Sequence, residues 1–484
     1  MNGFDNDKYI KLQSARINER IKMFNNKLYL EFGGKIYDDL HASRVLPGFN
    51  PGSKIEMLQK LKDKVEIIFC INANDIEKKK IRTDNGASYD IELLRLIDSL
   101  NKLELPTVAV VITQYIDQQS ALKFKNQLKK KGIKTYFHTL TKGYPTDIDT
   151  IVSDEGYGAQ DYIETTKPLI VVASPGANSG KLATCLSQLY HEYKRDVGAG
   201  YAKFETFPVW SLPLKHPINI AYEASTADIG DASMIDNFHL EKYGEMAINY
   251  NRDMAVFPIL KSILFKITGK NIYYSPTDMG VNMVGECITN DEIVRKASVN
   301  EIIRRYLISL CDYKNGLYDI DVPNRIKILM NEAGISVDDR KVVGAALEAR
   351  KIKKTNIVAI ELFNKKIITG KDTDIMTASA SAVINTIKEL SEIDDEVHLI
   401  PAINLHCVLK LKQEVYGETK LNLPDVLIAL TVCEVENPMI KVALSNLSKL
   451  YNLEAHSTVM LPKTEIDSFR KLGINITCTD EFPC

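Results

Sequence analysis

The sequence predicts an α/β protein whose N-terminal part is built around a mostly parallel sheet. Short, continuously apolar runs are typical of strands that are buried on both faces, and amphipathic stretches of helical length separate them. A glycine-rich turn joins one of these runs directly to a helix, as expected in an α/β architecture. The predicted strands are Leu28–Phe32, Val65–Ile71, Thr107–Thr113, Lys134–His138 and Leu169–Ala173.

Helices are predicted at Tyr9–Met23, Ile91–Leu100 and Gln119–Lys131. The last of these lies between the strands Thr107–Thr113 and Lys134–His138 and ends at Gly132, which makes this segment the clearest βαβ unit of the chain. Residues 200–290 have poor periodicity and many aromatic, acidic and amide side chains, so we expect long irregular stretches there. Such stretches in a compact protein are usually functional.

The C-terminal part is predicted to be a separate α+β domain. It combines an apolar strand at Ile357–Phe363, a second glycine turn at Ile367–Lys371, a long helix at Ala378–Leu390 and a strand at Val459–Leu461. The predicted organisation is an α/β domain at 1–230, a mainly helical insertion at 231–325 and the α+β C-terminal domain at 326–484.

Composition restricts the partners. The chain has 484 residues, 45% of them hydrophobic and 26% charged, with a formal net charge of −2. This balance is typical of globular proteins and gives no electrostatic reason to expect nucleic acid or a membrane surface as a partner. The N-terminus lacks the apolar core of a signal peptide, and the eight cysteines form no C-x-x-C pair. We therefore expect a cytoplasmic protein without a structural metal, with a small-molecule ligand and, as a further option, a homo-oligomeric state.

The stretch from Pro168 to Tyr193 carries the strongest chemical signal. An apolar strand breaks at Ser174-Pro175-Gly176, and a helix begins after Gly180-Lys181. At such a junction unpaired backbone N–H groups converge and the helix dipole adds positive potential, so the turn can hold a phosphate or a carboxylate. The alternative is an ordinary turn with a solvated lysine. The residues expected to hold the anion are Gly176, Asn178, Ser179, Gly180 and Lys181.

This turn is similar to a P-loop but departs from its pattern, G-x-x-x-x-G-K-[ST]. Pro175 stands in the place of the first glycine, and Leu182 in the place of the hydroxyl residue that binds magnesium. No clear strand with an acidic end follows, and the nearest run is Ile218–Glu223. The turn therefore favours anion binding over ATP hydrolysis, and a nucleotide with magnesium remains one option for the cofactor.

Lys203 and Glu205 are candidates for the reacting end of the site. They alternate in strand register, so both side chains would face one side of the strand. Two interpretations are equally open, a structural ion pair and an acid–base couple.

Glu223, Asp228 and Arg252 are further candidates. Glu223 and Asp228 belong to a carboxylate-rich run with Asp231 that is suited to magnesium, although Thr226 and Asp228 fit a helix cap equally well. Arg252 stands next to Asp253, and a guanidinium can hold a carboxylate or phosphate through two hydrogen bonds. A buried structural pair is the alternative.

Several long segments resemble one known family. They include LYLEFGGKIYDDLHASRVLPGF, SDEGYGAQDYIETTKPLIVVASPGANSGKLATCLSQLYHE, SPTDMGVNMVG and, later, TASASAVINTIKEL and LEAHSTVMLP. The chain is similar over nearly its whole length to the bacterial family called domain of unknown function 1846 (UPF0371). The resemblance implies an α/β N-terminal domain, a helical insertion and an α+β C-terminal domain in a soluble bacterial protein. It implies no reaction and no catalytic residues.

Two functional hypotheses follow. The first is an enzyme of the phosphoryl-transfer or ligation class, a transferase or ligase, that acts on a phosphorylated or nucleotide-like metabolite held at the glycine turn. The second is a non-catalytic metabolite-binding or regulatory protein that uses the same pocket. The many polar and aromatic groups of residues 200–290 favour the enzyme.

Overall fold

The computed structural model describes residues 2–25, 27–82, 86–435 and 437–481. Within it the chain forms two compact units. The first comprises residues 1–226 and 230–298, and the second comprises residues 227–229 and 299–484. Both units combine helices with a central sheet, so the predicted fold class is confirmed. The three-part division at 230 and 325 stays a prediction.

The first unit is built on a seven-stranded sheet in the order β4-β3-β2-β5-β1-β6-β9, in which every neighbouring pair is parallel. A separate antiparallel pair, β7 and β8, lies outside this sheet. The strands are β1 Leu28–Phe32, β2 Val65–Asn72, β3 Thr107–Thr113, β4 Thr135–Phe137, β5 Leu169–Ala173, β6 Gly200–Phe204, β7 Ser233–Ile235, β8 Ile248–Tyr250 and β9 Gly280–Val281.

Helices connect these strands. They are α1 Asn6–Met23, α2 Leu40–Val45, α3 Ser53–Lys60, α4 Ala73–Glu77, α5 Tyr89–Lys102, α6 Gln119–Lys130, α7 Ile148–Ile151, α8 Lys181–Lys194, α9 Pro217–Ser225, α10 Asn237–Tyr243, α11 Asn251–Thr268 and α12 Pro276–Met279. The central strands β2 and β5 are fully buried along their length, which explains why their sequences are continuously apolar.

The second unit contains a four-stranded sheet in the order β11-β10-β12-β13, with antiparallel pairing except between β12 and β13. Its strands are β10 Ile357–Glu361, β11 Ile367–Lys371, β12 Glu454–Ser457 and β13 Asn475–Cys478. Its helices are α14 Asp321–Glu332, α15 Lys341–Lys353, α16 Ala378–Leu390, α17 Ala402–Tyr416, α18 Leu423–Cys433, α19 Pro438–Ser445 and α20 Lys463–Lys471. Helix α13, Asp291–Lys314, belongs in part to each unit.

The run Ile218–Glu223, the nearest approach in the sequence to a strand with an acidic end, is part of helix α9. Three local predictions are wrong. The predicted second glycine turn is strand β11, which pairs with β10. The predicted strand Val459–Leu461 is wrong, because the strand in this segment is β12, which ends at Ser457. Residues 200–290 are also more regular than expected, since they contain the 18-residue helix α11.

Candidate functional site

The glycine turn leads from the carboxyl end of β5 into α8. The Ser174 hydroxyl donates to the carbonyl oxygen of Gly176 at 2.6 Å and accepts from Lys181 Nζ at 3.2 Å, which closes the turn from inside. Asn178 and Gly180 have φ values of 55° and 80°, in the left-handed region. The backbone is therefore folded back tightly between Ser174 and Lys181.

Two glycines are required where they stand. A Cβ at position 176 would overlap the ring of Tyr89, which lies against the turn. A Cβ at position 180 would come within 2.9 Å of the Thr113 side chain, and its positive φ would be strained as well. Glycine thus lets the turn approach its neighbouring elements closely.

The turn presents unpaired backbone donors. In the described part of the chain, no backbone acceptor is found for the N–H groups of residues 177–180, and no side chain caps the start of α8. The Ser179 side chain is 3% exposed, and its hydroxyl has no hydrogen-bond partner among the described residues. These donors and the amino-terminal end of the α8 dipole together favour negative charge.

The sheet order places this turn where the connections after two neighbouring strands run in opposite directions. Strand β5 lies between β2 and β1. The connection after β2 leads to β3 on one side, whereas the connection after β5 leads past β1 to β6 on the other side. In open α/β sheets ligands bind outside the carboxyl ends of the strands where such connections diverge. The predicted anion-binding turn lies at this position.

The structure brings Lys203 and Glu205 together at the carboxyl end of β6. Lys203 Nζ lies 2.9 Å from Glu205 Oε1, and it also donates a hydrogen bond to Asp253 Oδ2 in the first turn of α11. Glu205 Oε1 is buried and has no aligned hydrogen-bond donor among the described residues, so its contact with Lys203 is an ion pair only. One ammonium therefore holds two carboxyl groups.

The net effect of these contacts and of the burial of both side chains is to raise the pKa of Lys203 and the pKa of Glu205. Burial alone would lower the pKa of Lys203, but Asp253 and Glu205 outweigh burial and raise it well above its usual value. Burial raises the pKa of Glu205 to about 7, with Lys203 opposing the shift and Asp253 adding to it. At neutral pH the lysine is thus a fixed positive charge, whereas the glutamic acid is near its titration midpoint.

Arg252 connects this group to the glycine turn. Its guanidinium donates two hydrogen bonds to Asp231, from Nε to Oδ1 at 2.5 Å and from Nη2 to Oδ2 at 2.9 Å. Its Nη1 lies 3.5 Å from Asn178 Oδ1, the side chain at the tip of the turn. Since Arg252 and Asp253 are consecutive, the turn and the Lys203 group border one region. The residues predicted to hold the anion and the residues predicted for the reacting end are therefore adjacent.

Glu223 and Asp228 are placed differently. Glu223 is half-buried on α9, whereas Asp228 is exposed and belongs to residues 227–229 of the second unit. Thr226 caps the C-terminal end of α9, so of the two open interpretations the N-terminal helix cap at Thr226 and Asp228 is wrong. Asp231 is bound by Arg252. In the described ranges no group of three or more histidine, cysteine or acidic side chains is arranged to hold a metal ion, so this carboxylate-rich run does not fit a magnesium site.

Sequence reasoning missed two residues next to Lys203. Asp253 was considered only as a neighbour of Arg252, and Glu31 was not considered at all. Glu31 is the register partner of Lys203 on the adjacent strand and accepts a hydrogen bond from Tyr201 at 2.8 Å. The polar positions 201 and 203 of β6, with 205 directly after it, indicate a polar face of the strand but not its partners, because alternate residues share one face of a strand.

Comparison with known proteins gives consistent matches along the chain. The family model "Domain of unknown function DUF1846, N-terminal" matches residues 2–334, and the corresponding C-terminal model matches residues 338–484. A UPF0371 protein of Clostridium tetani is 54% identical, and UPF0371 proteins of Clostridioides difficile and Fusobacterium nucleatum are each 52% identical. Each alignment covers 99% of this chain and 98% of the relative.

None of the described helices combines the length and the apolar character that crossing a bilayer requires. The cytoplasmic location and the homo-oligomeric state stay predictions.

Proposed function

Because this chain belongs to the DUF1846 family, a family of unknown function, we propose a function from its geometry. The protein binds a phosphorylated or nucleotide-like small molecule, with the anionic group at the glycine turn between β5 and α8. It acts on that molecule as an enzyme of the phosphoryl-transfer or ligation class.

One observation carries this proposal. The turn with the unpaired amides stands at the point of the sheet where the connections after β2 and β5 diverge. Lys181 adds a positive charge, since its ammonium donates a hydrogen bond to the hydroxyl of Ser174 and forms no ion pair among the described residues. Backbone donors, a helix dipole and an uncommitted ammonium at a ligand-binding position favour phosphate.

The Lys203 group is suited to the reacting end. Phosphoryl transfer relies mainly on positioning and on stabilisation of charge. Lys203 and Arg252 provide fixed positive charges near the turn, and Glu205 has a pKa of about 7, where a carboxyl group can both accept and donate a proton. In this proposal Lys203 and Arg252 position the substrate and Glu205 exchanges the proton. The roles of Glu223 and Asp228 stay predictions.

A non-catalytic metabolite-binding or regulatory role is the second candidate. The two positive charges that the first candidate assigns to the reacting end already have carboxyl partners. Lys203 contacts Glu205 and Asp253, and Arg252 contacts Asp231. The position after Lys181 is Leu182, which cannot bind magnesium. A ligand at the turn would then stabilise the protein without being converted.

The test is ligand-dependent stabilisation. We expect nucleotides or sugar phosphates, but not dicarboxylates, to raise the melting temperature, because a ligand at about 100 times its Kd stabilises the folded state by about 2.7 kcal/mol. Lys181→Ala should weaken binding by roughly 10- to 100-fold, the value of one charge-assisted hydrogen bond of about 1.5–3 kcal/mol.

Lys194→Ala is the matched control, because Lys194 is exposed at the opposite end of the same helix. Equal binding by wild type and Lys181→Ala would refute the role of this lysine. Turnover of the stabilising ligand in the presence of magnesium would identify the enzyme, and stabilisation without turnover would favour the regulatory role.

A further inference from the structure

A cluster of four amide side chains lies beside the glycine turn, at the carboxyl ends of β2 and β3. Asn72 Nδ2 donates to Gln114 Oε1 at 3.1 Å, and Gln118 Nε2 donates to Asn74 Oδ1 at 3.0 Å. The side chain of Asn72 is largely buried, those of Gln114 and Gln118 are half-buried, and Asn74 is exposed. The cluster therefore reaches from the interior to the solvent.

This amide cluster borders the glycine turn directly. Asn72 Nδ2 lies 3.4 Å from the carbonyl oxygen of Asn178, and Thr113 Oγ1 donates to the carbonyl oxygen of Ser179 at 2.8 Å. The turn thus separates two chemically different surfaces. The charged Lys203 group lies towards β6, and the neutral amides lie towards β2 and β3.

The backbone here adopts an unusual conformation for its sequence. Gln114 has a φ of 52° and Asp117 a φ of 59°, although neither is a glycine. Gln118 Oε1 accepts the N–H of Ile116 at 2.7 Å and so stabilises this bend. Aspartate tolerates this conformation, so Gln114 is the unusual residue, and left-handed backbone at such residues is found at ligand sites where surrounding contacts hold it in place.

We propose that the amide cluster binds the hydroxyl groups of a sugar phosphate whose phosphate lies at the glycine turn. The proposal rests on the proposed function and narrows its substrate class. A carboxamide offers both donors and an acceptor, which matches a hydroxyl group that donates and accepts at once. A second anionic group would need donors alone and would gain little from the amide oxygens.

The aromatic rings near this edge favour a sugar over a base. Phe137 is covered on one side by Tyr115, with ring centres 3.8 Å apart, and Lys125 Nζ lies 4.0 Å from its centroid. Tyr89 lies against Gly176 and has Lys80 Nζ at 5.2 Å from its centroid. Phe137 thus already stacks on Tyr115 and has a lysine over its ring, whereas a nucleobase is usually held by stacking on an open ring.

Calorimetric titration with inorganic phosphate, ribose 5-phosphate and AMP tests the proposal. Two or three neutral hydrogen bonds should make ribose 5-phosphate bind at least about 10-fold more tightly than phosphate to the wild type. Gln114→Met and Asn74→Ala should remove most of this preference and leave phosphate affinity unchanged. Gln119→Ala, an exposed amide outside the cluster, should retain it.

The outcomes separate this proposal from the function on which it rests. Binding of phosphate without a preference for ribose 5-phosphate, or equal losses for both ligands in Gln114→Met, overturns the sugar site and leaves the anion site intact. A preference for AMP over ribose 5-phosphate that Gln114→Met abolishes overturns hydroxyls as the recognised group. If the wild type does not bind phosphate and shows no preference among the three ligands, the anion site itself is refuted.

Discussion

Glu205 is the residue whose environment departs furthest from what its sequence neighbours suggest. The alternation of Lys203 and Glu205 predicts that they share one face of a strand, and the structure places them 2.9 Å apart. The second carboxylate, Asp253, comes from a helix that begins 46 residues after Glu205, at Asn251. Since no local pattern encodes that contact, the high pKa of Glu205 could not be predicted from sequence.

The pH dependence of stability tests this environment. The pKa of Glu205 is raised from 4.5 to about 7 in the folded state, so its protonated form favours folding. This contribution is fully present below about pH 4.5 and is lost as the pH rises through about 7. Relative to Glu205→Gln, the wild type should therefore lose stability over this interval, by on the order of 3 kcal/mol at most.

Urea unfolding of both proteins at several pH values between about 4 and 8 measures the difference. Glu155→Gln serves as control, because Glu155 is exposed and its pKa is lowered by Lys142. Parallel stability profiles of the wild type and Glu205→Gln would show that Glu205 ionises as an ordinary carboxylic acid.

At the scale of elements, buried strands were predicted well and helices with unusual features were not. Strands such as β3 and β5 are continuously apolar because both faces of the parallel sheet are covered. Helix α11 contains Pro258, which normally ends a helix. Its buried face, which includes Phe257 and Leu260, offsets that cost through tertiary packing, which a local pattern does not contain.

Short elements are harder to predict from sequence, because their patterns fit more than one kind of structure. Ile218–Glu223 is an apolar run that suits a strand or a helix, and Pro217 at the first turn together with the His216 ring, which accepts the N–H of Ile218, decides for the helix. Gly370 suggested a turn, yet it lies within β11. It is glycine because the strand approaches the backbone of α16 there.

Gly370→Ala tests this close approach. A Cβ at position 370 would overlap the backbone nitrogen of Ala382, so the strand or the helix must move, and we expect a destabilisation of about 1–3 kcal/mol. Gly344→Ala is the matched control in α15 of the same unit. No atom lies within 4 Å of its Cβ position, and removing a helical glycine should stabilise the protein by about 0.5–1 kcal/mol.

Denaturant unfolding distinguishes the two glycines. If Gly370→Ala were as stable as the wild type, the packing of β11 on α16 would be looser than described. Loss of stability in both variants would instead point to a general intolerance of the second unit to added volume.

At the scale of the whole molecule, the two compact units and the two family models divide the chain at different points. The C-terminal family model begins at residue 338, whereas the second unit includes residues from 299 onwards. Residues 299–337 belong to the second unit but lie outside the C-terminal family model, and they comprise most of α13 and all of α14. Helix α13 contacts β13 of the second unit, where Cys311 Sγ lies 3.6 Å from the carbonyl oxygen of Cys478.

We expect the structural boundary to determine folding. Ile302, Ile303, Ile326 and Met330 are fully or almost fully buried, and burial of one such side chain stabilises by about 1.5–3 kcal/mol. A fragment of residues 299–484 should therefore unfold cooperatively, whereas residues 338–484 should be several kcal/mol less stable or should not fold. A fragment of residues 315–484 retains α14 without α13 and should be intermediate. Circular dichroism during urea unfolding ranks the stabilities of the three fragments. If the longest and the shortest fragment were equally stable, α13 and α14 would contribute nothing to the core of the second unit. The folding boundary would then lie at the junction of the two family models.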